Sequence, residues 1–353
     1  MADPMKRSTF FSFIAPSLVS MLLLIALPLV AITYLAVFQS FTKMELKEVR
    51  TEVPLFGGQT REIIRNVPQP VLDENGNAIQ VWQYVGGENL RSAVDLNGLK
   101  NVISADREIE STRAFIKQMY REISDVDFWS ALEFTLLYTF VTTPVILLLG
   151  FGLALATNRL TERLRGPVVF VTLLPMIVTP VVSSLAVYWL FVDGGVIAAG
   201  LEAAGFGKFY FLADQFTIRA VIIAYGVWYA APFAFIILYA GLQTVPDDPI
   251  EAAIVDGATP WQRVRYIVIP YLSPLFAVIT LIHIMDSYRV FEPILVFGSS
   301  VFANSVQYLT YYTLVFEDSI HKAAAYAILT VIGVVILLIP VMIRTYKDQR
   351  AEK

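Results

Sequence analysis

The chain has 353 residues, 56% of them hydrophobic and only 16% charged, with a formal net charge of −4 and a mean hydropathy of +0.63. So much apolar surface cannot be hidden inside a soluble globular domain, and the mildly acidic balance, with its charges segregated into loops, points to no nucleic-acid partner. The absence of cysteine excludes a disulfide framework, a cysteine metal site and a thiol nucleophile.

Six apolar runs approach or exceed the roughly 20 residues needed to cross a bilayer. They lie near Phe10–Phe38, Ala131–Ala156, Val168–Phe191, Ile218–Leu242, Leu272–Ile294 and Ala323–Ile343. The first follows Lys6 and Arg7, is too long for a signal-peptide core and lacks a small-residue cleavage site, so it reads as a retained span. Basic residues in short segments set the orientation. Lys6 and Arg7, then Arg159, Arg163 and Arg165, then Arg263 and Arg265, then Arg344, Lys347, Arg350 and Lys353 fall on one side if there are six spans. Both termini are therefore expected in the cytoplasm, and the loop Val192–Thr217, nearly free of basic residues, outside. The fold class expected is an all-α polytopic membrane protein with a small α+β extracytoplasmic insertion after the first helix.

That insertion is residues 39–128. Strand-like pieces lie at Glu52–Phe56 and Glu62–Val67, and a hairpin is expected from Val71–Asp73 through Glu74-Asn75-Gly76-Asn77 to Ile79–Val85. Further on, Ile109, Ile116, Met119 and Ile123 share a helical face over Arg107–Ser124. A folded cap is expected, serving either to touch an extracytoplasmic binding protein or to stabilise the outer mouth. Residues 1–38 are the tail and first span, 129–343 the core of five spans, and 344–353 a cytoplasmic tail. Within the core, Gly150-Phe151-Gly152 sits in an apolar helix and reads as close helix packing. Pro175, Pro180 and Pro232 can interrupt backbone hydrogen bonding inside their spans. Gly205-Phe206-Gly207-Lys208 lacks the spacing of a phosphate loop, so any ATP that drives this chain must bind a partner.

Between the fourth and fifth spans, Pro246–Pro270 carries acids and arginines together. Asp247 or Asp248 can cap a helix with Pro249 in its first turn, and Gly257 can end that helix in a left-handed conformation. Thr259 and Pro260 repeat the cap-plus-proline start, so the expectation is helix, tight turn, helix. Glu251-Ala252-Ala253, Gly257, Ile267 and Ile269-Pro270 resemble the E-A-A loop of permease subunits in binding-protein-dependent ABC importers of type I. Asp256-Gly257-Ala258 and Trp261-Gln262 are most similar to sugar permeases of the maltose-permease first-subunit type, with Ile269 in place of the usual Leu. Phe128-Trp129-Ser130-Ala131-Leu132 and Trp228-Tyr229-Ala230-Ala231-Pro232-Phe233 resemble other stretches of that permease core, which the resemblance covers from about Phe128 to Ile343.

The resemblance implies that residues 246–270 form a coupling helix docked on an ATPase, with Glu251, Ala252, Ala253, Asp256, Gly257 and Arg263 as coupling residues. It implies as partners two ATPase subunits that hold ATP and magnesium, a second permease chain of different sequence, and an extracytoplasmic solute-binding protein. Arg263 and Arg265 can also meet anionic lipid headgroups. The location implied is the bacterial cytoplasmic membrane.

The fifth span carries His283, Asp286, Arg289 and Glu292. An acid or arginine at mid-membrane costs ~2.5–3.5 kcal/mol on insertion scales, so such groups face protein or water. On a helix, His283, Ser287 and Val290 share a face flanked by Asp286. The fourth span adds Tyr225, Trp228, Tyr229 and Phe233, whose flat rings suit sugar C–H faces. By spacing from the family motifs, substrate contacts map onto Tyr229, Ala230, Phe233, His283, Asp286, Ser287 and Val290; several of these differ in type from the maltose pattern, so a polar solute such as a glycoside is implied and no particular sugar. Two other readings stand beside this one: a proton-coupled secondary transporter using Asp286 and His283, and a membrane enzyme. An internal ion pair of purely structural role would also account for Asp286 and Arg289.

Overall fold

The computed structural model describes residues 7–54, 60–96, 98, 100, 101, 123 and 126–351. They divide into two compact units. One comprises Met1–Ala93 with Ser319–Ala325, the other Val94–Asp318 with Tyr326–Lys353. Among the described residues six helical stretches are long and apolar enough to cross a membrane: Phe13–Val37, Asp127–Asn158, Pro180–Ala203, Gln215–Leu242, Ser273–Phe297 and Ile320–Lys347.

In the first unit, helix α1 (Arg7–Met21) passes through a wide turn at Leu22–Ala26 into α2 (Leu27–Val37). Four strands follow: β1 (Phe38–Thr42), β2 (Met44–Pro54), β3 (Thr60–Pro70) and β4 (Gln80–Tyr84), and then a short helix α3 (Glu88–Val94). β2 and β3 form a long antiparallel hairpin, from Met44 opposite Pro70 to Pro54 opposite Thr60. The expected turn at Glu74–Asn77 is present: Asp73 Oδ1 accepts from the amides of Asn75 and Asn77, and Gly76 takes a positive φ of 83°. Its arms close around the Leu72–Ala78 bridge, Asp73 donating to the Asn77 carbonyl and Ile79 to that of Val71, both at 2.8 Å. Contrary to the sequence reading, β4 leaves Val71–Asp73 and pairs with β1, Phe38 opposite Tyr84. The first span thus runs straight into a strand, a continuation that periodicity does not reveal because Phe38 and Phe41 look like more of the apolar run. The helix expected over Arg107–Ser124 lies outside the described residues.

The second unit is helical. α4 (Asp127–Asn158) and α8 (Gln215–Leu242) are unbroken, although α4 contains Pro144 and α8 contains Pro232. Between them come α5 (Glu162–Ile177), α6 (Pro180–Phe191) and α7 (Val196–Ala203). The expected third span Val168–Phe191 is not one helix. Val178 and Thr179 are extended, with ψ of 138° and 147°, because Pro180 has no amide to donate and disfavours helical backbone in the residue before it. The membrane-length stretch is Pro180–Ala203 instead.

After α9 (Asp247–Val255), α10 (Pro260–Arg263) and α11 (Ile269–Tyr271), the fifth span is broken too. α12 (Ser273–Ser287) ends at Tyr288, and α13 (Glu292–Phe297) begins beyond Phe291. A continuous helix would need an amide from Pro293 to reach the carbonyl of Arg289, and proline has none. α14 (Val306–Val315) and the long α15 (Ile320–Ala351) complete the chain.

Side-chain contacts give the direction of each helix. Along α4, Tyr138 meets Gly226 and Gly150 meets Ala234 and Phe235, so α4 and α8 run parallel. Along the same helix Thr142 meets His283, Thr139 meets Ser287 and Thr135 meets Val306, so the fifth span runs antiparallel to them. Alternate crossings require this. Gln243 donates to Asn158 (2.9 Å), placing the start of the 246–270 hairpin at the same end as the Arg159–Arg165 turn. Arg344 lines a groove with Ile269 and Ser273, at that end as well. The basic segments of the second unit therefore share one end, as the charge pattern predicts. Gly150 packs as expected: a Cβ there would lie 2.6 Å from the Ala234 side chain and 2.9 Å from the Phe235 amide nitrogen, whereas Gly152 faces open space.

Candidate functional site

A cavity of about 580 Å³ lies against α8 and the broken fifth span, within the ~300–1,000 Å³ common for small-molecule sites. All seven residues predicted to face solute stand on its wall: Tyr229, Ala230 and Phe233 from α8, His283, Asp286 and Ser287 from α12, and Val290. Val290 arrives by a different route from the one predicted. It does not continue the helical face of His283 and Ser287 but sits in the break, buried, with its freed carbonyl accepting from Ser305 Oγ (2.6 Å). Of the four aromatics in the fourth span, Tyr225, Tyr229 and Phe233 line the cavity. Trp228 points away into a separate groove beside Pro175 and Val171.

A stripe of hydroxyls on α4 backs the fifth-span side of the cavity. Thr135, Thr139 and Thr142 are buried. Thr142 donates to the carbonyl of Tyr138 (2.8 Å) and lies 3.0 Å from His283 Nε2. Its one hydrogen being committed, it accepts from an Nε2–H, which leaves Nδ1 as an acceptor in the neutral ring. Ser287 Oγ donates to Thr139 Oγ1 (3.2 Å), and Thr135 Oγ1 accepts the amide of Val306 (3.2 Å). The break before α6 is tied to the same wall. The carbonyl of Pro180 accepts from Tyr225 (3.0 Å) and from Ser184 Oγ (2.6 Å), and the Tyr225 hydroxyl is 2.8 Å from Ser183 Oγ. Asp286 and Arg289 pair at 3.5 Å, both side chains more than half exposed.

The hairpin after α8 is built by its caps. Pro246, not Asp247 or Asp248, is the residue before α9, and the two acids occupy the first turn, where they favour the positive helix end without accepting a capping bond. At the other end Ala258 donates to the Ala253 carbonyl (2.8 Å) and Gly257 to the Ile254 carbonyl (3.0 Å), with Gly257 at φ 78°. That is a complete Schellman closure. Thr259 and Gln262 form a reciprocal capping box at the start of α10. Glu251, Ala252, Asp256 and Gly257 are exposed; Ala253 and Arg263 are partly covered. Ala253, Asp256, Gly257 and Arg263 line a shallow cleft of about 320 Å³. Val255 is 86% exposed, Tyr266 71%, and Ile254 and Trp261 more than half, an apolar surface that the described residues leave uncovered.

Residues 146–353 match the family described as binding-protein-dependent transport system inner membrane component. The chain belongs to this family. As a member, it is a multi-pass inner-membrane permease subunit, a transport component with no catalytic step of its own. It is 31% identical over 219 residues to the trehalose transport system permease SugA of Mycobacterium tuberculosis, covering 62% of this chain and 70% of that one. It is 29% identical over 207 residues to the trehalose/maltose transport system permease MalF of Thermococcus litoralis, covering 56% and 69%. A bacterial ABC transporter involved in import of the acidic polysaccharide alginate has a related fold, with a TM-score of 0.59 at 22% identity over 72% of this chain and 88% of that one.

Membership displaces the secondary-transporter and enzyme alternatives raised by the sequence. The permease cavity also takes in residues that sequence reasoning passed over: Tyr138, Met176, Gly226 and Gln307. Only Tyr138 carried a legible signal, since Thr135, Tyr138, Thr139 and Thr142 recur at helical spacing as a polar stripe in an apolar span. Glu292, the last of the four titratable residues on the fifth span, lines the cavity as well.

Proposed function

We propose that this permease forms one half of the translocation path of an ATP-driven importer for a sugar or glycoside. The observation that carries the reading is the cavity wall, where Tyr225, Tyr229 and Phe233 stand opposite His283, Asp286 and Ser287. Aromatic faces suit sugar C–H surfaces, and the polar groups suit sugar hydroxyls. Relatives named for trehalose and maltose transport favour the same solute class. A partner solute-binding protein delivers the solute at the outer mouth. Two ATPase subunits, holding ATP and magnesium, seat against the 246–270 hairpin on the cytoplasmic side, with both chain termini on that side. A second permease of different sequence closes the path.

The exposed Ile254, Val255, Trp261 and Tyr266 support the docking part of this proposal, because apolar side chains outside the membrane core are covered by a partner more often than left in water. Glu251, Ala252, Ala253, Asp256, Gly257 and Arg263 are the coupling residues. Closure of the ATPase pair pushes the hairpin, and the helices around the cavity reopen toward the cytoplasm. Copurification of the permease with its partners, followed by uptake of a sugar panel into proteoliposomes, tests the reading. ATP-dependent uptake of a glycoside is expected, lost in Tyr229→Ala and in Asp286→Ala. Uptake confined to amino acids or metal ions would sink it.

A further inference from the structure

Resting on that reading, we propose that the cavity selects glycosides by charge, admitting neutral and cationic ones and turning away sugar acids, and that the carboxylate of Glu292 sets this selection. Three charged residues stand on the wall: Asp286, Arg289 and Glu292. Asp286 and Arg289 answer one another at 3.5 Å. Glu292 is partly buried, and among the described residues it has neither an ion-pair partner nor a hydrogen bond to its carboxylate. Beside these three and His283, the wall is neutral: Tyr138, Tyr225 and Tyr229, the polar Ser287 and Gln307, and apolar residues such as Met176 and Ile282. Among the described residues the wall therefore carries one uncompensated negative charge beside low-dielectric surface, where fields are focused and weakly screened.

A neutral sugar offers hydroxyl donors to such a carboxylate, and an amino sugar offers a full counter-charge. A uronate brings a second carboxylate, and the one guanidinium on the wall is already engaged. His283 is buried with Nε2 against Thr142; it is the remaining titratable group that could change the balance, so the measurement is made at pH 8, well above the ordinary histidine range.

The chain has no cysteine, so Ala230→Cys places its single thiol on the cavity wall. In the assembled transporter, that thiol is reacted with a trimethylammonium-ethyl and a sulfonato-ethyl methanethiosulfonate. Each rate is normalised to the rate with a small free thiol. The cationic reagent is expected to react about tenfold faster or more. In Ala230→Cys combined with Glu292→Gln the ratio should collapse toward one, whereas Glu292→Asp should preserve it. Equal normalised rates for the two reagents before any change at Glu292 would overturn the proposal without needing a folded Glu292→Gln variant. So would a ratio unmoved by Glu292→Gln. If neither reagent reaches the thiol in any nucleotide state, the cavity is not on a water-filled path, and the translocation reading falls along with this one.

Discussion

Gly226 decides where Tyr138 can sit. A Cβ at that position would collide with the hydroxyl end of the Tyr138 ring, and Tyr138 is itself buried. Gly226→Ala forces the ring toward the cavity, and overpacking of this kind costs roughly 1–3 kcal/mol. The expected outcome is a lower Tm for the purified complex and a raised KM for solute, both measurable on one preparation. Gly257 poses the opposite case. Its φ of 78° is left-handed, but a Cβ there meets nothing within 4 Å. Aspartate and asparagine tolerate that backbone better than most residues. Gly257→Asp should therefore insert normally while placing a charge on the face where we propose the ATPase seats. ATP hydrolysis should persist and uptake should fail, and Gly257→Asn should keep more coupling than Gly257→Asp. Normal uptake by Gly257→Asp would remove this residue from the coupling role.

The two interrupted spans show what an element can hide from its sequence. Pro144, Pro180, Pro232 and Pro293 all lie in apolar runs, yet α4 and α8 pass through Pro144 and Pro232, while the chain breaks at Pro180 and just ahead of Pro293. The sequence makes the four look alike. At the two breaks side chains from elsewhere in the chain bond nearby carbonyls: Tyr225 that of Pro180 and Ser305 that of Val290. Tyr225→Phe removes one such bond and should lower stability by about 1 kcal/mol, seen as a reduced Tm with the aromatic ring kept on the cavity wall. Six spans and their alternation were legible because hydropathy and loop charge are summed over many residues. Six of the seven predicted wall residues were legible because they lie on α8 and near one face of α12; Val290 reaches the wall from the break instead. Pairing of β4 with β1 was not, since nothing local distinguishes Val71–Asp73 from Phe38–Thr42 as its partner. The caps of the hairpin were legible at Gly257, Thr259 and Pro260, where the residue type has one main use. At Asp247 and Asp248 they were not, because an acid serves a first turn as well as a cap. Thr259→Ala should cost the hairpin ~1 kcal/mol, read as faster limited proteolysis between Gly257 and Arg265.

Across the helical unit, one ion pair ties distant segments together. Arg219 on α8 grips Glu133 on α4 through both guanidinium nitrogens, at 2.9 and 3.0 Å. Its Nε donates to the Phe302 carbonyl (2.7 Å), and its plane lies 5.4 Å from the Phe134 ring centre. Arg219→Met would strand Glu133 in a largely apolar setting, a loss of about 3 kcal/mol, while Arg219→Met with Glu133→Gln should recover part of it. Thermal unfolding of the single and double variants in detergent checks the order. Equal losses in the two would mean the pair contributes packing alone.

At the opposite end α4 and α8 touch backbone to backbone at the Gly150 notch, and beyond it Gln243 clasps Asn158. Two rods pressed together at a notch and pinned on either side of it, by Gln243 to Asn158 and by Arg219 to Glu133, cannot slide past each other. On the proposed coupling, a shove delivered to the hairpin rocks both rods as one plank about the notch, turning a stroke at the Gln243 tip into a sweep at the Arg219 tip.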